Sequence, residues 1–82
     1  MTEPIAAVIR RVLEDIAPDV DATRLDPEDD IRDAADLDSV DFLNFVTALH
    51  GETGVEIPER DYGEVRSLAA CARYLTRHLS SG

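Results

Sequence analysis

A single serine hydroxyl lies in the most acidic part of the chain, in the run Ala35-Asp36-Leu37-Asp38-Ser39-Val40-Asp41-Phe42. We predict that Ser39 is exposed at the start of a helix, directly after Asp38. The first turn of a helix offers free N–H groups and the positive end of the helix dipole, so a phosphodiester on Ser39 would be tolerated there despite its acidic neighbours. Serine at a helix start is more often a simple capping residue, so position alone does not assign Ser39 a chemical role.

The other candidates for catalysis or metal binding are weak. An acidic run that opens at Asp26 resembles a calcium loop, but its sixth and twelfth positions are isoleucine and leucine where an EF-hand needs glycine and glutamate. Cys71 lies among alanines on a predicted helix, where cysteine usually serves packing, and its combination with His50 or His78 is a thin basis for nucleophilic catalysis. We therefore predict no metal site, no catalytic residues and a protein that is not an enzyme.

Composition limits the size of the protein and the class of its partners. The chain has 82 residues with 18 acidic and 8 basic side chains, and its formal net charge is −10 at pH 7. This length allows one small domain, which we place over residues 1–82, and we expect a monomer. All the basic residues are arginines, so nucleic acid is a poor partner and basic protein surfaces are better ones. No apolar run approaches the ~18 residues that span a bilayer, and no secretory signal is evident, so we expect a cytoplasmic protein.

Helical periodicity organises the two ends of the chain. Apolar residues recur at helical spacing from Ile5 to Ala17, and Pro18 ends this first helix. Near the carboxyl end, Ser67 is the predicted cap of a last helix whose apolar face consists of Leu68, Ala69, Ala72, Leu75 and Leu79. A short helical turn is predicted over Pro58–Tyr62, ending near Gly63.

Between the first and second helices, residues 18–38 form a long acidic loop. The segment from Glu14 to Asp41 holds twelve acidic residues and two basic ones, and such charge runs are usually solvated. Isolated apolar residues could fix this loop onto the core: Val20, Leu25, Ile31 and Leu37.

The second helix, predicted over Ser39–Thr53 with Gly54 as its stop, has two apolar faces. The i, i+3, i+4, i+7 set must face the interior and consists of Phe42, Phe45, Val46 and Leu49. A second cluster lies well over a right angle away and is a candidate partner surface, formed by Val40, Leu43 and Thr47. Scattered exposed apolar residues are also common without a function.

The chain resembles the acyl carrier proteins. The resemblance rests on the triplet Asp38-Ser39-Val40 at a helix start, the run Asp41-Phe42-Leu43-Asn44-Phe45-Val46 behind it, the later Val55-Glu56-Ile57-Pro58, and the closing helix from Leu68 to Leu79. It covers nearly the whole chain. It implies an all-α four-helix bundle with three longer helices, one short helix and a long loop between the first two helices.

The same resemblance implies the cofactor and the site. In this family a separate magnesium-dependent phosphopantetheinyl transferase attaches 4′-phosphopantetheine from coenzyme A to a serine, and Ser39 is the matching residue, which makes the protein a phosphoprotein. Asp38 would cap the helix and help the transferase to engage. The implied partners are that transferase and the acyl-loading and synthase enzymes, whose basic surfaces would meet Asp36, Val40, Asp41, Leu43, Asn44 and Thr47.

Departures from the family pattern leave the pathway open. Asp36 stands where family members often have glycine, and Asn44 and His50 stand where fatty acid carriers often have glutamate. A carrier for polyketide, lipid or hybrid peptide assembly is therefore as well supported as a fatty acid carrier. Two further alternatives are an aminoacyl or peptidyl carrier and an unmodified acidic adaptor that binds partners through its second helix.

Overall fold

The described part of the protein, residues 4–80 of a computed structural model, is helical and contains no strand. Its elements in chain order are α1 (Ile5–Ile16), a 3₁₀ turn (Ala22–Arg24), α2 (Ile31–Ala34), α3 (Ser39–Thr53), a 3₁₀ helix (Glu59–Val65) and α4 (Leu68–Ser80). The predicted all-α bundle with three longer helices and one short one is confirmed.

The core forms where α1 packs against both α3 and α4, and the 3₁₀ helix Glu59–Val65 packs against α4. The most deeply buried side chains come from every one of these elements and include Ile9, Leu13, Phe45, Leu49, Val65, Tyr74 and Leu75. The predicted interior face of α3 is confirmed, because its buried residues are Phe42, Phe45, Val46 and Leu49. Burial of such side chains stabilises the fold by about 1.5–3 kcal/mol each, before the entropy of ordering the chain is subtracted.

The bounds of α3 agree with the prediction because both ends carry a local signal. Asp38 caps the helix, and its Oδ1 accepts a hydrogen bond from the Asp41 N–H at 2.8 Å. At the other end Gly54 adopts the left-handed conformation, φ 73°, and its N–H donates to the His50 carbonyl at 2.8 Å.

Two other predicted boundaries are wrong. α1 ends at Ile16 rather than Ala17, because Ala17, with φ −128° and ψ 79°, has already left the helical conformation before Pro18. The predicted turn over Pro58–Tyr62 is a 3₁₀ helix over Glu59–Val65. It continues through Gly63, which does not take a positive φ, to the fully buried Val65.

The buried face of α4 is rotated from the predicted one. Leu68 and Leu75 are buried as expected, but Leu79 is 42% exposed. Cys71 and Tyr74 are buried instead, and Tyr74 donates a hydrogen bond from its hydroxyl to Asp61 Oδ2 at 2.7 Å. A large aromatic ring with a polar end that finds a partner therefore decides which side of α4 faces inward.

The acidic loop is more ordered than a solvated charge run. Its aspartates cap short turns: Asp21 accepts from the Thr23 N–H, Asp26 from the Glu28 N–H and Asp30 from the Arg32 N–H, at 3.1, 2.9 and 2.8 Å. The Thr23 hydroxyl also donates to Asp21 and lowers the pKa of that carboxyl. The predicted long loop over residues 18–38 therefore contains a short 3₁₀ turn and α2, which side-chain caps build and which the sequence analysis did not predict.

The apolar residues of the loop anchor it as predicted, with additions. Ile31 and Leu37 are buried and Val20 and Leu25 are half-buried, whereas the buried Ala22 and Ala35 were not predicted. Alanine carries little hydrophobic signal in a loop, so its burial depends on the path of the chain.

Candidate functional site

Ser39 is the first residue of α3, and its side chain is exposed. The cap of this helix is the preceding residue, Asp38, whose carboxylate bonds the Asp41 N–H. The Ser39 hydroxyl is therefore not used as the helix cap. The sequence prediction that Ser39 is exposed at a helix start, with Asp38 as the N-cap, is confirmed.

A tight corner between α2 and α3 fixes the direction in which α3 begins. Asp36 adopts the left-handed conformation, φ 54°, which is uncommon for a residue with a side chain. Leu37 follows it, is buried, and donates its N–H to the Arg32 carbonyl at 2.9 Å. The left-handed Asp36 gives a physical reason why glycine would be favoured at this position.

Arg32 is the residue of this site that the sequence analysis missed. Its Nη2 donates a hydrogen bond to Ser39 Oγ at 3.3 Å, and its guanidinium carbon lies 6.0 Å from the centre of the Phe42 ring. The sequence signal was its place as one of two basic residues in the acidic segment, but its contact with a side chain seven positions later depends on the α2–α3 corner.

The predicted partner surface on α3 is exposed. Val40 is 65% and Leu43 48% exposed, and Asn44 and Thr47 are exposed on the same side of the helix. These four positions follow the spacing i, i+3, i+4, i+7, so they form one stripe that starts beside Ser39. The two exposed apolar side chains in this stripe, Val40 and Leu43, favour an interaction surface.

Acidic residues flank this stripe unevenly. Asp36 and Asp38 are exposed and Asp41 is half-buried. All three lie at the amino end of α3, so the negative charge is concentrated around Ser39 rather than along the helix.

A groove of about 530 Å³ opens beside the second half of α3. Thr47 and His50 line it on the α3 side, and the residues lining it elsewhere include Ile57, Arg60, Tyr62 and Tyr74. Thr47 thus belongs both to the predicted partner surface and to this groove.

The structure offers no support for the weaker candidates from the sequence. Cys71 is fully buried, and this burial raises the pKa of its thiol to about 12, so it stays protonated at neutral pH. His50 and His78 are exposed, and the His78 ring packs 4.3 Å from the Tyr74 ring.

Two further features are absent from residues 4–80. In that range no group of three histidine, cysteine or acidic side chains could hold a metal ion. The helices there are also too short or too polar for any of them to cross a membrane.

Comparison with known proteins shows the class of protein to which this chain belongs. The family model described as a phosphopantetheine attachment site matches residues 3–75. A solved structure of the acyl carrier protein from Enterococcus faecalis superposes with a TM-score of 0.70 at 26% sequence identity, covering 87% of this chain and 92% of that one. The chain therefore belongs to the phosphopantetheine-attachment family of carrier proteins, and it is a carrier rather than an enzyme. The resemblance to acyl carrier proteins is confirmed.

The residues at the start of α3 fit the group that this family carries. The Ser39 hydroxyl is exposed, and a guanidinium rather than a carboxylate contacts its oxygen. The first turn of α3 adds N–H groups and the positive end of the helix dipole, which favour a phosphate.

Proposed function

We propose that Ser39 accepts a 4′-phosphopantetheine arm from coenzyme A and that the protein carries acyl intermediates of fatty acid, polyketide or related specialised biosynthesis. When attached, the arm supplies a thiol that holds the acyl group as a thioester. The observation that carries this proposal is the exposed Ser39 hydroxyl, one residue after its capping aspartate, in a chain of the phosphopantetheine-attachment family.

Asp38 prepares the serine by taking over the capping role. Because the Asp38 carboxylate satisfies the Asp41 N–H, the Ser39 hydroxyl need not turn back toward the backbone. Arg32 donates to Ser39 Oγ, so this oxygen keeps its own proton. In the proposed transfer, Ser39 Oγ gives up that proton to a base of the transferase and bonds to the phosphorus of the phosphopantetheine half of coenzyme A. The bond from this phosphorus to the pyrophosphate oxygen breaks, and adenosine 3′,5′-bisphosphate leaves. A fixed helix start thus presents one oxygen outward to an incoming enzyme.

The exposed stripe on α3 is the proposed docking surface for the transferase and for the acyl-loading and synthase enzymes. Val40 and Leu43 supply apolar contact, and Asn44 and Thr47 supply polar contact. The flanking acids Asp36, Asp38 and Asp41 favour basic partner surfaces, because opposite charge speeds encounter without requiring tight binding. Brief contacts suit a protein that must visit several enzymes in turn.

An intact-mass measurement tests the attachment. The purified protein is incubated with coenzyme A, magnesium and a broad-specificity phosphopantetheinyl transferase, with Ser39→Ala and Ser67→Ala in parallel. Ser67 is the matched control, because it also stands at a helix start but uses its hydroxyl as the cap, accepting from the Ala70 N–H at 3.0 Å. We expect one phosphopantetheine on the wild type and on Ser67→Ala, and none on Ser39→Ala.

The opposite results identify the alternatives. A gain that persists in Ser39→Ala would place the arm elsewhere. No gain on the wild type, with this transferase and with that of the host, would favour the unmodified acidic adaptor.

The docking surface is tested by comparing two exposed leucines. Leu43 and Leu79 are 48% and 42% exposed, on α3 and α4 respectively. We expect Leu43→Ala to raise the transferase KM by about three- to tenfold, the range typical of an interface contact, and Leu79→Ala to leave it unchanged. Equal effects of the two substitutions would remove α3 as the docking surface.

A further inference from the structure

We propose that Arg32 is a phosphate-binding residue of this carrier, whose guanidinium pairs with the phosphodiester on Ser39 and holds the base of the arm against the corner between α2 and α3. This inference rests on the proposed attachment at Ser39. It assigns a role to a side chain outside α3, on the acidic loop.

The Arg32 guanidinium lies beside the oxygen that would bear the phosphate. Nη2 of Arg32 lies 3.3 Å from Ser39 Oγ, the atom to which phosphorus would be bonded. The phosphate would therefore be attached to the oxygen that Arg32 already contacts. Planar guanidinium groups bind phosphate oxygens through paired N–H donors, which makes arginine better suited to this role than a lysine ammonium.

Arg32 differs from several other arginines of the chain in its ion pairing. Three other arginines form ion pairs: Arg11 with Glu52, Arg66 with Asp30, and Arg77 with Glu64. Within residues 4–80, no carboxylate lies within ion-pairing distance of the Arg32 guanidinium, although the segment around it is rich in aspartate. Arg32 thus keeps its charge for another anion.

A phosphodiester on Ser39 would need such a partner. Asp38 and Asp41 are close to Ser39 in the chain, and their negative charges would repel the phosphodiester. Arg32 is the basic side chain that the fold brings to this oxygen.

Several contacts hold the backbone of α2 in place. Asp30 caps α2 through the Arg32 N–H at 2.8 Å and forms an ion pair with Arg66 at 2.5 Å. Ile31 is buried, and its N–H donates to the Arg66 carbonyl at 2.6 Å. These contacts fix the backbone from which the Arg32 side chain extends.

The side chain itself is also restrained, because its guanidinium lies over the Phe42 ring at 6.0 Å. Such a contact lowers the entropy that binding would cost. Pairs at exposed sites remain weak, so we expect Arg32 to shift the ratio of docked to free arm by only about two- to fivefold. A preference of this size orders the base of the arm and still lets it swing to a partner.

The test uses the modified protein and compares three substitutions. Arg32→Gln removes the charge, Arg32→Lys keeps the charge without the planar fork, and Arg24→Gln is the matched control in the same acidic segment. Each protein is first checked by intact mass for one phosphopantetheine. The ³¹P NMR position and line width are then recorded at low salt and high salt, with the same protein unfolded in urea as the reference for a free arm.

We expect Arg32→Gln to move the ³¹P signal toward the urea reference and to narrow it, Arg32→Lys to fall between, and Arg24→Gln to match the wild type. High salt should bring the wild type toward Arg32→Gln, because salt screens an exposed pair. In the unsubstituted protein, the Arg32 side-chain Nε–Hε resonance should shift when the arm is attached, and that of Arg24 should not.

Two results would overturn the inference. An unchanged ³¹P signal in Arg32→Gln, together with an unshifted Arg32 resonance on attachment, would leave Arg32 with only its packing against Phe42. The wild-type resonance decides the question even if Arg32→Gln does not fold. Absence of the mass gain would instead remove the proposed function, and this inference with it.

Discussion

The starts of α3 and α4 both carry a serine, and the two serines do opposite things. At α4, Ser67 is the cap, its Oγ accepts from the Ala70 N–H, and the next residue, Leu68, is buried. At α3, the cap has moved one residue earlier to Asp38, so Ser39 is left exposed and the next residue, Val40, is 65% exposed. When an aspartate before the serine caps the helix, the serine hydroxyl is not needed as the cap and stays exposed to solvent.

The largest difference in stability between these two regions should appear at alkaline pH. α4 carries two buried groups that can lose a proton, the Cys71 thiol and the Tyr74 hydroxyl, whereas the start of α3 carries no such group. Burial raises the pKa of Cys71 from 9 to about 12, and burial with the Asp61 hydrogen bond raises that of Tyr74 from 10 to about 12. Above pH 9 the unfolded chain loses the Cys71 proton while the folded chain keeps it, so the free energy of unfolding falls by up to about 1.4 kcal/mol per pH unit for each such group.

This pH dependence is measured by urea unfolding between pH 9 and pH 12. We expect Cys71→Ala to lose less stability over that interval than the wild type. An identical slope in the two proteins would mean that the buried thiol does not cause the effect.

The residues that follow the two serines should differ nearly as much. We expect Leu68→Ala to lower the free energy of unfolding by about 2–5 kcal/mol, because the side chain is buried and leaves a cavity. Val40→Ala should change it by less than about 0.5 kcal/mol. The two variants are compared by chemical unfolding, and a large loss in Val40→Ala would show that this side chain supports the fold.

Removal of the helix caps themselves should have a smaller effect on the free energy of unfolding. Ser67→Ala and Asp38→Ala should each cost about 1 kcal/mol, because each removes a helix cap. Ser39→Ala should stay within about 0.5 kcal/mol of the wild type. Thermal unfolding of the three variants measures this, and a loss in Ser39→Ala equal to that in Ser67→Ala would contradict the division of roles.

The smallest effect is expected at the corner that precedes α3. Asp36→Gly should raise stability by about 0.5–1 kcal/mol, because glycine adopts the left-handed conformation without steric cost. Asp33→Gly is the control: it removes the same charge from an exposed position within α2, where glycine is unfavourable. If both variants gain stability, relief of charge repulsion rather than backbone conformation is the cause.

How much the sequence could predict differs between these regions for a physical reason. The bounds of α3, the exposure of Ser39 and the cap at Asp38 were predictable, because an aspartate at one end and Gly54 at the other are local signals. α2 was not, because a helix of four residues has no apolar period and is built by side-chain caps. The contact of Arg32 with Ser39 was missed for the same reason, since it exists only once that loop is folded.

The buried face of α4 shows a second limit of prediction from the sequence. Its leucines predicted a face that included Leu79, and the structure buries Tyr74 and Cys71 instead. Periodicity alone could not weigh an aromatic ring whose hydroxyl finds Asp61 across the bundle.

The burial of Cys71 has a practical consequence for work on the proposed modified protein. The chain contains one cysteine, which lies on α4 and is buried in the core. With an arm on Ser39, the arm would carry an accessible thiol, while the thiol of Cys71 stays buried. A maleimide dye or a spin label would then report on the arm alone, without the need to engineer the native sequence first.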